Sequence, residues 1–379
     1  MSFSILNSSG NKVRVGLVGL GRRGLATLRR FSVIAQAEVV ALCDRIPEAI
    51  DAAVNILPPS SPRPRLYVDW QDLVESKEID LVYVCTDWGT HAPIAIAAMR
   101  AGHDVAVEVP LAVTIEECRE IVAVSHTTGR ICTMTENCCY DPFHLAQLSM
   151  VEKGLLGIIT HLEGAYIHDL RHELEGARRW YVEMGRANGA NPYPTHAIGP
   201  ICQLIAAADP GAETPDRPVA LMSLSSSITP DGPNTTLVRT AKGRSIMLQY
   251  DISTPRPYSR IQMICGSAGY SAKYPEMIIQ ADSIYGGEPL KGNQLKEWLD
   301  REAHPWVKEY EPDARRLGVD NMMNYIMDRR LFDNILNCRP PDISVADAAL
   351  WSAFAPLTSM SVKGGGIEVP IPDFHTPLS

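Results

Sequence analysis

The chain has 379 residues, of which 45% are hydrophobic and 21% are charged, a balance typical of a globular protein with room for two domains. Its net charge of −9 argues against nucleic acid as the main partner, because binding to a phosphate backbone needs a basic surface. No run approaches the ~20 apolar residues that cross a bilayer, and no basic stretch precedes an apolar core at the N-terminus, so we expect neither a membrane partner nor a signal peptide.

The nine cysteines form no CxxC pair, and several lie in apolar runs, as Cys43 and Cys85 do. This pattern suits neither a disulfide framework nor a zinc knuckle. We therefore predict buried, reduced thiols, a cytoplasmic protein and no bound metal.

Predicted strands and helices alternate along residues 1–138. The strands are 13–19, 38–44, 65–69, 79–86, 103–110 and 131–137, and the helices are 23–34, 46–57, 91–102 and 114–129. Strands that are almost entirely apolar and are separated by helices form a parallel sheet covered on both faces. We therefore predict an α/β Rossmann domain, which binds a nucleotide, over residues 1–138.

Residues 139–379 have a different pattern and form the second predicted domain. Long strands are predicted within 157–171, 219–228, 235–254 and 260–274, with hairpin turns at 241–244 and 266–269, and helices at 195–209, 319–338 and 344–360. The pattern predicts an α+β domain that binds the substrate and has an open, mainly antiparallel sheet. We expect the last helix to pack back on the first domain.

The stretch Gly19-Leu20-Gly21-Arg22-Arg23-Gly24 has GxGxxG spacing. Glycines at these positions allow a tight turn and let main-chain N–H groups approach a pyrophosphate at a helix N-terminus. The pattern alone is weak, and a plain glycine-rich turn is the alternative. Its place between the first strand and the first helix favours a dinucleotide site.

Asp44 ends the second strand, 20 residues after Gly24, where a carboxylate accepts hydrogen bonds from the adenosine ribose. A carboxylate there also repels a 2′-phosphate, which favours NAD over NADP. The neighbouring Arg45 is able to receive that phosphate, so NADP stays open as the alternative.

Two further stretches follow strands at the edge of the sheet where ligands bind: CTDWGTH (85–91) and Glu108-Val109-Pro110. We predict that Trp88, His91 and Glu108 lie near the cofactor. Core packing is the alternative for Trp88, and a structural role beside the next helix is the alternative for His91.

Five stretches carry a resemblance to known proteins: TENCCY (135–140), EGAYIHDLR (163–171), NPYPTHAIGP (191–200), TPRPYS (254–259) and ADAALWSAFAPLTSMSVKGGGIEVPIPDF (346–374). With them the chain resembles the Gfo/Idh/MocA family of NAD(P)-dependent oxidoreductases and, within it, family 109 of the glycoside hydrolases, which are NAD-dependent α-N-acetylgalactosaminidases. Most Gfo/Idh/MocA proteins end the fifth strand with Glu-Lys-Pro, and the lysine helps to handle the proton of the substrate hydroxyl. This chain has Val109 in that position, as family 109 does.

The resemblance also implies a set of site residues. Tyr166 and His196 are implied as acid/base residues. The implied neighbours of the cofactor and the sugar are Glu136, Asn137, His168, Tyr193 and Tyr258, with Asn137 and His168 assigned to NAD and the others to the substrate. Alternatively, Tyr166 and His168 are ordinary residues on one face of a strand, and His196 is a residue at a helix start.

The implied reaction uses NAD and acid/base groups in place of the usual pair of carboxylates. The sugar is oxidised at C3, a base removes the C2 proton, the C1 substituent leaves, water adds and the ketone is reduced again. We therefore expect a NAD-dependent glycosidase with a carbohydrate substrate, and the resemblance implies a dimer or tetramer. The alternatives are a NAD-dependent oxidoreductase of a sugar or cyclitol and a catalytically idle NAD-binding regulator.

Overall fold

The computed structural model describes residues 12–59, 61–173, 176, 179–188, 190–209, 211–228, 232–280, 287–319 and 321–376. The chain divides into two compact units. The first unit is drawn from residues 1–135, 310–352 and 373–379, and the second from residues 136–309 and 353–372. Among the described residues, none of the helices combines the length and the apolarity that a bilayer crossing requires.

The described residues contain twelve α-helices. They are α1 Arg22–Phe31, α2 Pro47–Val54, α3 Trp70–Val74, α4 Trp88–Ala101, α5 Ile115–Thr128, α6 Pro142–Glu152, α7 Arg179–Asn188, α8 Thr195–Ala207, α9 Gly292–Arg301, α10 Pro305–Arg316, α11 Met322–Leu336 and α12 Val345–Lys363. A 3-10 helix, Asn137–Tyr140, follows the last strand of the first unit. Residues of α10 and of α12 contribute to both units.

The first unit is built on a six-stranded parallel sheet. Its strands are β1 Val13–Val18, β2 Ala37–Cys43, β3 Arg65–Tyr67, β4 Leu81–Val84, β5 Asp104–Val107 and β6 Cys132–Met134, in the order β3-β2-β1-β4-β5-β6. The central strands β4 and β5 are fully buried and, apart from Asp104, consist of apolar residues and one tyrosine, as a sheet with helices on both faces requires. The strand order reverses between β1 and β4, which confirms the predicted Rossmann fold and places the ligand crevice at the carboxyl ends of these strands.

The second unit is built on an eight-stranded sheet. Its strands are β7 Ile159–Ile167, β8 Pro218–Ser225, β9 Asn234–Thr240, β10 Ser245–Asp251, β11 Met263–Gly266, β12 Gly269–Lys273, β13 Glu276–Gln280 and β14 Val369–Pro370, in the order β13-β12-β11-β7-β10-β9-β8-β14. Of the neighbouring pairs, β7 and β10 are parallel and the others antiparallel. Buried and exposed residues alternate strictly along β9, so one face of the sheet is open, as predicted.

The structure corrects three predicted boundaries that concern the site. The strand predicted at 131–137 ends at Met134, because the Glu136 side chain accepts the Cys138 N–H at 3.1 Å and starts the 3-10 helix. Strand β7 ends at Ile167, so His168 lies beyond the strand and not within it. Helix α4 begins at Trp88, three residues before the predicted start, so His91 lies inside the helix.

Five helices were not predicted: α3, α6, α7, α9 and α10. Helix α6 is buried along most of its length, so its residues show no amphipathic period. The helix α3 has only five residues, and α7, α9 and α10 are rich in charged residues with a narrow apolar stripe. Such segments carry a weak periodic signal, and their helical state depends on packing.

Candidate functional site

The loop of residues 19–24 joins β1 to α1 in the first unit. Gly19 has a φ of +90°, and a Cβ atom there would lie 2.6 Å from the carbonyl of Cys85. A Cβ atom on Gly24 would clash with the Gly19 oxygen, whereas one on Gly21 would meet nothing within 4 Å. The first and third glycines are therefore required for packing. Gly21 leaves open space at the N-terminus of α1, and the first turn of this helix contains Arg22 and Arg23 and no acidic residue. These features suit a pyrophosphate.

Asp44 follows β2 and lies against this loop. The Leu20 N–H donates to Asp44 Oδ2 at 2.7 Å, and the Ile46 N–H donates to Asp44 Oδ1 at 2.9 Å. The main chain of Leu20 is therefore occupied by Asp44 and does not face a phosphate freely. A carboxylate accepts about four hydrogen bonds, so Asp44 keeps capacity for the hydroxyls of a ribose.

Glu108 and Val109 follow β5 and are both buried. Glu108 Oε1 lies 3.2 Å from Arg23 Nε, so the carboxylate at the end of β5 pairs with a guanidinium of the glycine-rich loop. Val109 places an apolar side chain next to this ion pair. The first unit therefore has no ionisable side chain at position 109.

His91 and Trp88 are buried within α4. His91 Nδ1 lies 2.7 Å from the Pro110 oxygen, and His91 Nε2 lies 3.1 Å from the Thr86 oxygen. Burial lowers the pKa of His91 although both carbonyls oppose this, so the ring is neutral at pH 7 and donates through one nitrogen only. The ring thus joins the segments that follow β4 and β5, which supports the structural alternative for His91 over a contact with the cofactor.

In the second unit, Glu136 and His196 form a buried ion pair. His196 Nδ1 lies 2.7 Å from Glu136 Oε1 and 2.8 Å from Glu136 Oε2. Glu136 is fully buried and His196 is 9% exposed. The 3-10 helix positions the carboxylate, and the first turn of α8 positions the imidazole. A carboxylate on Nδ1 fixes the ring and leaves Nε2 to act on other groups.

The protonation of this pair follows from its surroundings. Burial by itself lowers the pKa of His196, but the Cys138 sulfur and the Glu136 carboxylate outweigh burial and raise the pKa to about 10. Burial likewise raises the pKa of Glu136, but His196 outweighs it and the pKa is lowered. At neutral pH the pair is therefore an imidazolium and a carboxylate, and His196 is equipped to give a proton.

Aromatic rings surround His196. The ring centroids of Tyr193 and Tyr166 lie 4.7 and 5.7 Å from the centroid of the imidazole, and the two tyrosine centroids are 4.8 Å apart. The Tyr166 hydroxyl forms a hydrogen bond of 3.1 Å with His168 Nδ1. The structure thus brings both predicted acid/base residues into one cluster. Tyr166 is buried and is therefore not a residue of a solvated sheet face, whereas His196 does lie in the first turn of α8.

The remaining predicted substrate residue, Tyr258, contacts the cluster from its edge. Its ring lies 5.3 Å from His168, and the side chain is 44% exposed. Asn137, the residue after Glu136, is buried, and its Oδ1 accepts a hydrogen bond from the Cys138 thiol at 3.5 Å. The second unit therefore holds Glu136, Asn137, Tyr166, His168, Tyr193, His196 and Tyr258, whereas the glycine-rich loop, Asp44, Trp88, His91 and Glu108 belong to the first unit.

Three residues of the cluster were not predicted. Tyr250 pairs with Tyr166 across the parallel strands β10 and β7, and Tyr181 lies 5.6 Å from Tyr193. Arg260 is buried beside Asp141 and Tyr274. A signal for Arg260 was present, since it follows Tyr258 by two residues, but nothing in the sequence distinguishes the two tyrosines from core residues.

Donor atoms suited to a metal also meet at this position. Atoms of Glu136, Cys138 and His196 lie within 4.8 Å of one another. A metal ligand must be deprotonated, whereas His196 carries a proton on both ring nitrogens at neutral pH, which opposes binding of a cation there. The absence of a metal stays a prediction.

Two successive parts of the chain match two protein families. Residues 13–136 match the oxidoreductase family with an NAD-binding Rossmann fold, and residues 140–229 and 231–377 match the glycosyl hydrolase 109 C-terminal domain. A glycosyl hydrolase family 109 protein from Phocaeicola vulgatus is 42% identical over 96% of this chain and 94% of its own length. The chain belongs to glycosyl hydrolase family 109.

Other relatives of this family 109 chain agree with the assignment. An α-N-acetylgalactosaminidase from Bacteroides fragilis is 41% identical over 96% of the chain and 92% of its own length. Among solved structures, myo-inositol dehydrogenase from Lactobacillus casei in complex with NAD(H) and myo-inositol has a TM-score of 0.70 at 20% identity, covering 97% of this chain and 98% of its own. An oxidoreductase domain protein from Kribbella flavida has a TM-score of 0.76 at 20% identity, covering 95% and 99%. At such identities the two structures share the fold alone.

Proposed function

We propose that this family 109 protein is a NAD-dependent glycosidase that acts by transient oxidation at C3, elimination of the C1 substituent, hydration and re-reduction. The observation that carries the proposal is the buried Glu136–His196 ion pair in ring contact with Tyr166. This cluster brings proton-donating and proton-accepting side chains together in the second unit, whereas Val109 of the first unit can neither donate nor accept a proton.

The residues of the first unit fit NAD. Gly21 leaves space for a pyrophosphate, and Asp44 is able to accept from the ribose and repels a 2′-phosphate. When bound, NAD supplies a hydride acceptor and later a hydride donor, which makes the sugar C3 a ketone for part of the cycle and acidifies the C2 proton.

In the second unit, His196 acts as the proton donor and Tyr166 as the proton acceptor. His196 is an imidazolium at neutral pH, so it protonates the leaving oxygen at C1 through Nε2. Tyr166 is the group that removes the C2 proton, with His168 at 3.1 Å to receive the proton of its hydroxyl. Tyr193 and Tyr258 present rings on which the apolar face of a sugar packs.

The substrate that we propose first is an α-linked N-acetylgalactosamine, because a relative that is 41% identical over 96% of this chain is an α-N-acetylgalactosaminidase. The test is a panel of p-nitrophenyl α- and β-glycosides, with nitrophenol and NADH followed separately. We expect nitrophenol release without accumulation of NADH. Steady formation of NADH from free sugars would instead support the sugar or cyclitol oxidoreductase.

Replacement of His196 by Ala should abolish nitrophenol release, because it removes the proton donor. The matched control is His161→Ala, since His161 pairs with Glu163 on the same strand as Tyr166 but is solvent-accessible. Full activity of His196→Ala would remove His196 from the proposed site. NAD that binds without turnover of any glycoside or sugar would favour the idle regulator.

We also propose that the protein is cytoplasmic and assembles into a homo-oligomer. The described residues include all nine cysteines and no disulfide joins them, which suits a reducing compartment. The open face of the sheet exposes Met222, Leu224 and Leu237, and an exposed apolar patch is typical of a subunit interface. Light scattering of the purified protein tests the assembly, and a monomer at micromolar concentration would contradict it.

A further inference from the structure

Arg260 is a buried cation that no part of the proposed chemistry uses. Its side chain is 3% exposed, Nη2 donates to Asp141 Oδ2 at 2.6 Å, and Nε donates to the Tyr274 hydroxyl at 3.1 Å. A buried guanidinium is costly unless its charge is paired and its N–H groups are bonded. The charge of Arg260 is paired with Asp141 and two of its nitrogens are bonded, whereas its buried Nη1 has no hydrogen-bond partner among the described residues.

The main chain of Arg260 is fixed to the strand that carries Tyr166. The Arg260 oxygen accepts from the Ala165 N–H at 2.7 Å and from the Gln262 N–H at 2.6 Å. Ile261 and Gln262, with φ of +56° and +47°, lie in the left-handed region, which is unfavourable by ~1–2 kcal/mol per residue. Side-chain and main-chain contacts together hold this turn beside β7.

The side chain of Arg260 reaches the segment that carries Glu136. Asp141 ends the 3-10 helix that Glu136 begins, and its carboxylate also accepts the Phe143 N–H at 2.9 Å and contacts Lys273 Nζ at 2.6 Å. Burial alone would raise the pKa of Asp141, but Lys273 and Arg260 lower it to about 2. Asp141 is therefore ionised, and it flanks the C-terminal end of the four-residue 3-10 helix whose N-terminal end is flanked by Glu136.

A second route leads from Arg260 to Tyr166 through aromatic rings. The Tyr274 hydroxyl accepts the hydrogen bond from Arg260 Nε. The ring centroid of Tyr274 lies 5.7 Å from that of Tyr258, which lies 5.3 Å from that of His168. His168 in turn forms the hydrogen bond to the Tyr166 hydroxyl. The Arg260 guanidinium thus contacts Asp141, which follows the 3-10 helix after Glu136, and Tyr274, from which a series of ring contacts leads to Tyr166.

We propose that Arg260 is a positioning residue that sets the separation between Tyr166 and the Glu136–His196 pair. This inference rests on the proposed function of that site. Arg260 fixes β7 through its main chain and the 3-10 helix through its side chain, so loss of the guanidinium loosens one relative to the other. A misplacement of about 1 Å lowers turnover by roughly 100-fold, even when the changed residue is remote from the chemistry.

The test compares Arg260→Gln and Arg260→Lys with the matched control Arg244→Gln in the NAD-loaded protein. Arg244 is also largely buried, pairs with Asp216 at 2.6 Å and Asp209 at 2.9 Å, and bonds the Ile159 oxygen at the other end of β7. We expect Arg260→Gln to lower kcat roughly 100-fold with little change in KM. We expect kcat of Arg260→Lys to be about tenfold higher than that of Arg260→Gln. We expect Arg244→Gln to lower the melting temperature while kcat stays within about twofold of the parent.

Equal loss of kcat in Arg244→Gln, or unchanged kcat in both Arg260 variants, would overturn the inference. If Arg260→Gln does not fold, Tyr274→Phe removes only the hydroxyl that accepts the hydrogen bond from Arg260 Nε, and we expect about a fivefold loss of kcat. If the parent protein hydrolyses no glycoside, the proposed function fails separately. The histidine NMR spectrum then decides, because only the Arg260 variants should shift the His196 resonances, and unchanged resonances would contradict the inference.

Discussion

Replacement of Glu136 by Gln gives the sharpest test of how the ion pair works. The amide still accepts a hydrogen bond from His196 Nδ1, but the negative charge is lost. With the charge centres about 4 Å apart and an effective dielectric constant near 20, the lost attraction is about 4 kcal/mol. At about 1.4 kcal/mol per pKa unit, the pKa of His196 should fall by roughly three units, from about 10 to near 7.

The sign of the effect on activity follows from the direction of the pKa shift. The pKa of His196 is raised in the native protein, so the imidazolium is present below that pKa and is lost as the pH rises through it. At about pH 8 the parent protein keeps the proton, whereas about one-tenth of the Gln variant keeps it. We therefore expect about a tenfold loss of kcat/KM at pH 8 that largely recovers near pH 6.

The assay is kcat/KM for nitrophenol release across the pH range, together with an NMR titration of His196. Glu163→Gln is the matched control, because Glu163 pairs with the partly exposed His161 at 3.3 Å. The reasoning is refuted if the basic limb of the Glu136→Gln profile coincides with that of the parent, or if Glu163→Gln moves it equally.

Three further predictions concern other parts of the chain. Val109→Lys places an amine among buried groups beside Glu108, so we expect the free energy of unfolding to fall by roughly 2 kcal/mol and nitrophenol release to be lost. Val109→Met is the control for side-chain size. Retained activity of Val109→Lys would contradict the importance of this position. The lowered pKa of Asp141 gives stability that is present above its ordinary value of 3.8 and lost as the pH falls through about 2. Asp141→Asn should therefore reduce the difference in unfolding free energy between about pH 5 and pH 2 by roughly 2 kcal/mol, measured by urea titration. Dialysis against EDTA should leave nitrophenol release unchanged, and activity that returns only with added Zn²⁺ would show that the atoms around Cys138 hold a metal.

Much of the fold was predictable because its signals are local. Apolar strands alternate with helices in the first unit, and a glycine-rich turn stands where a tight approach of the main chain is needed. Binary patterning also predicted the open sheet of the second unit, because alternate residues of strands such as β9 face opposite sides. The charged helices α9 and α10 were not predicted, since packing decides the state of a weakly amphipathic segment.

The site was only partly predictable. The resemblance implied Glu136 and His196 as separate residues, 60 positions apart, and did not imply that they form an ion pair. The protonation state of His196 follows from burial and from two neighbouring groups, none of which is local in sequence. For His91, the place after a strand predicted a contact with the cofactor, and only the structure shows that its neutral ring lies between two main-chain carbonyls and donates to one of them.

The sequence by itself determined the order of strands and helices, the glycine-rich loop, and the residue types available for proton transfer. These depend on periodicity and on main-chain sterics, which act over a few neighbouring residues. Only the tertiary structure decided that Arg260 bonds Asp141 across 119 positions and that Tyr166 faces His196. Such pairings arise when the parallel strands β7 and β10 and the helix α8 pack together, and desolvation then sets the charge that each buried group carries.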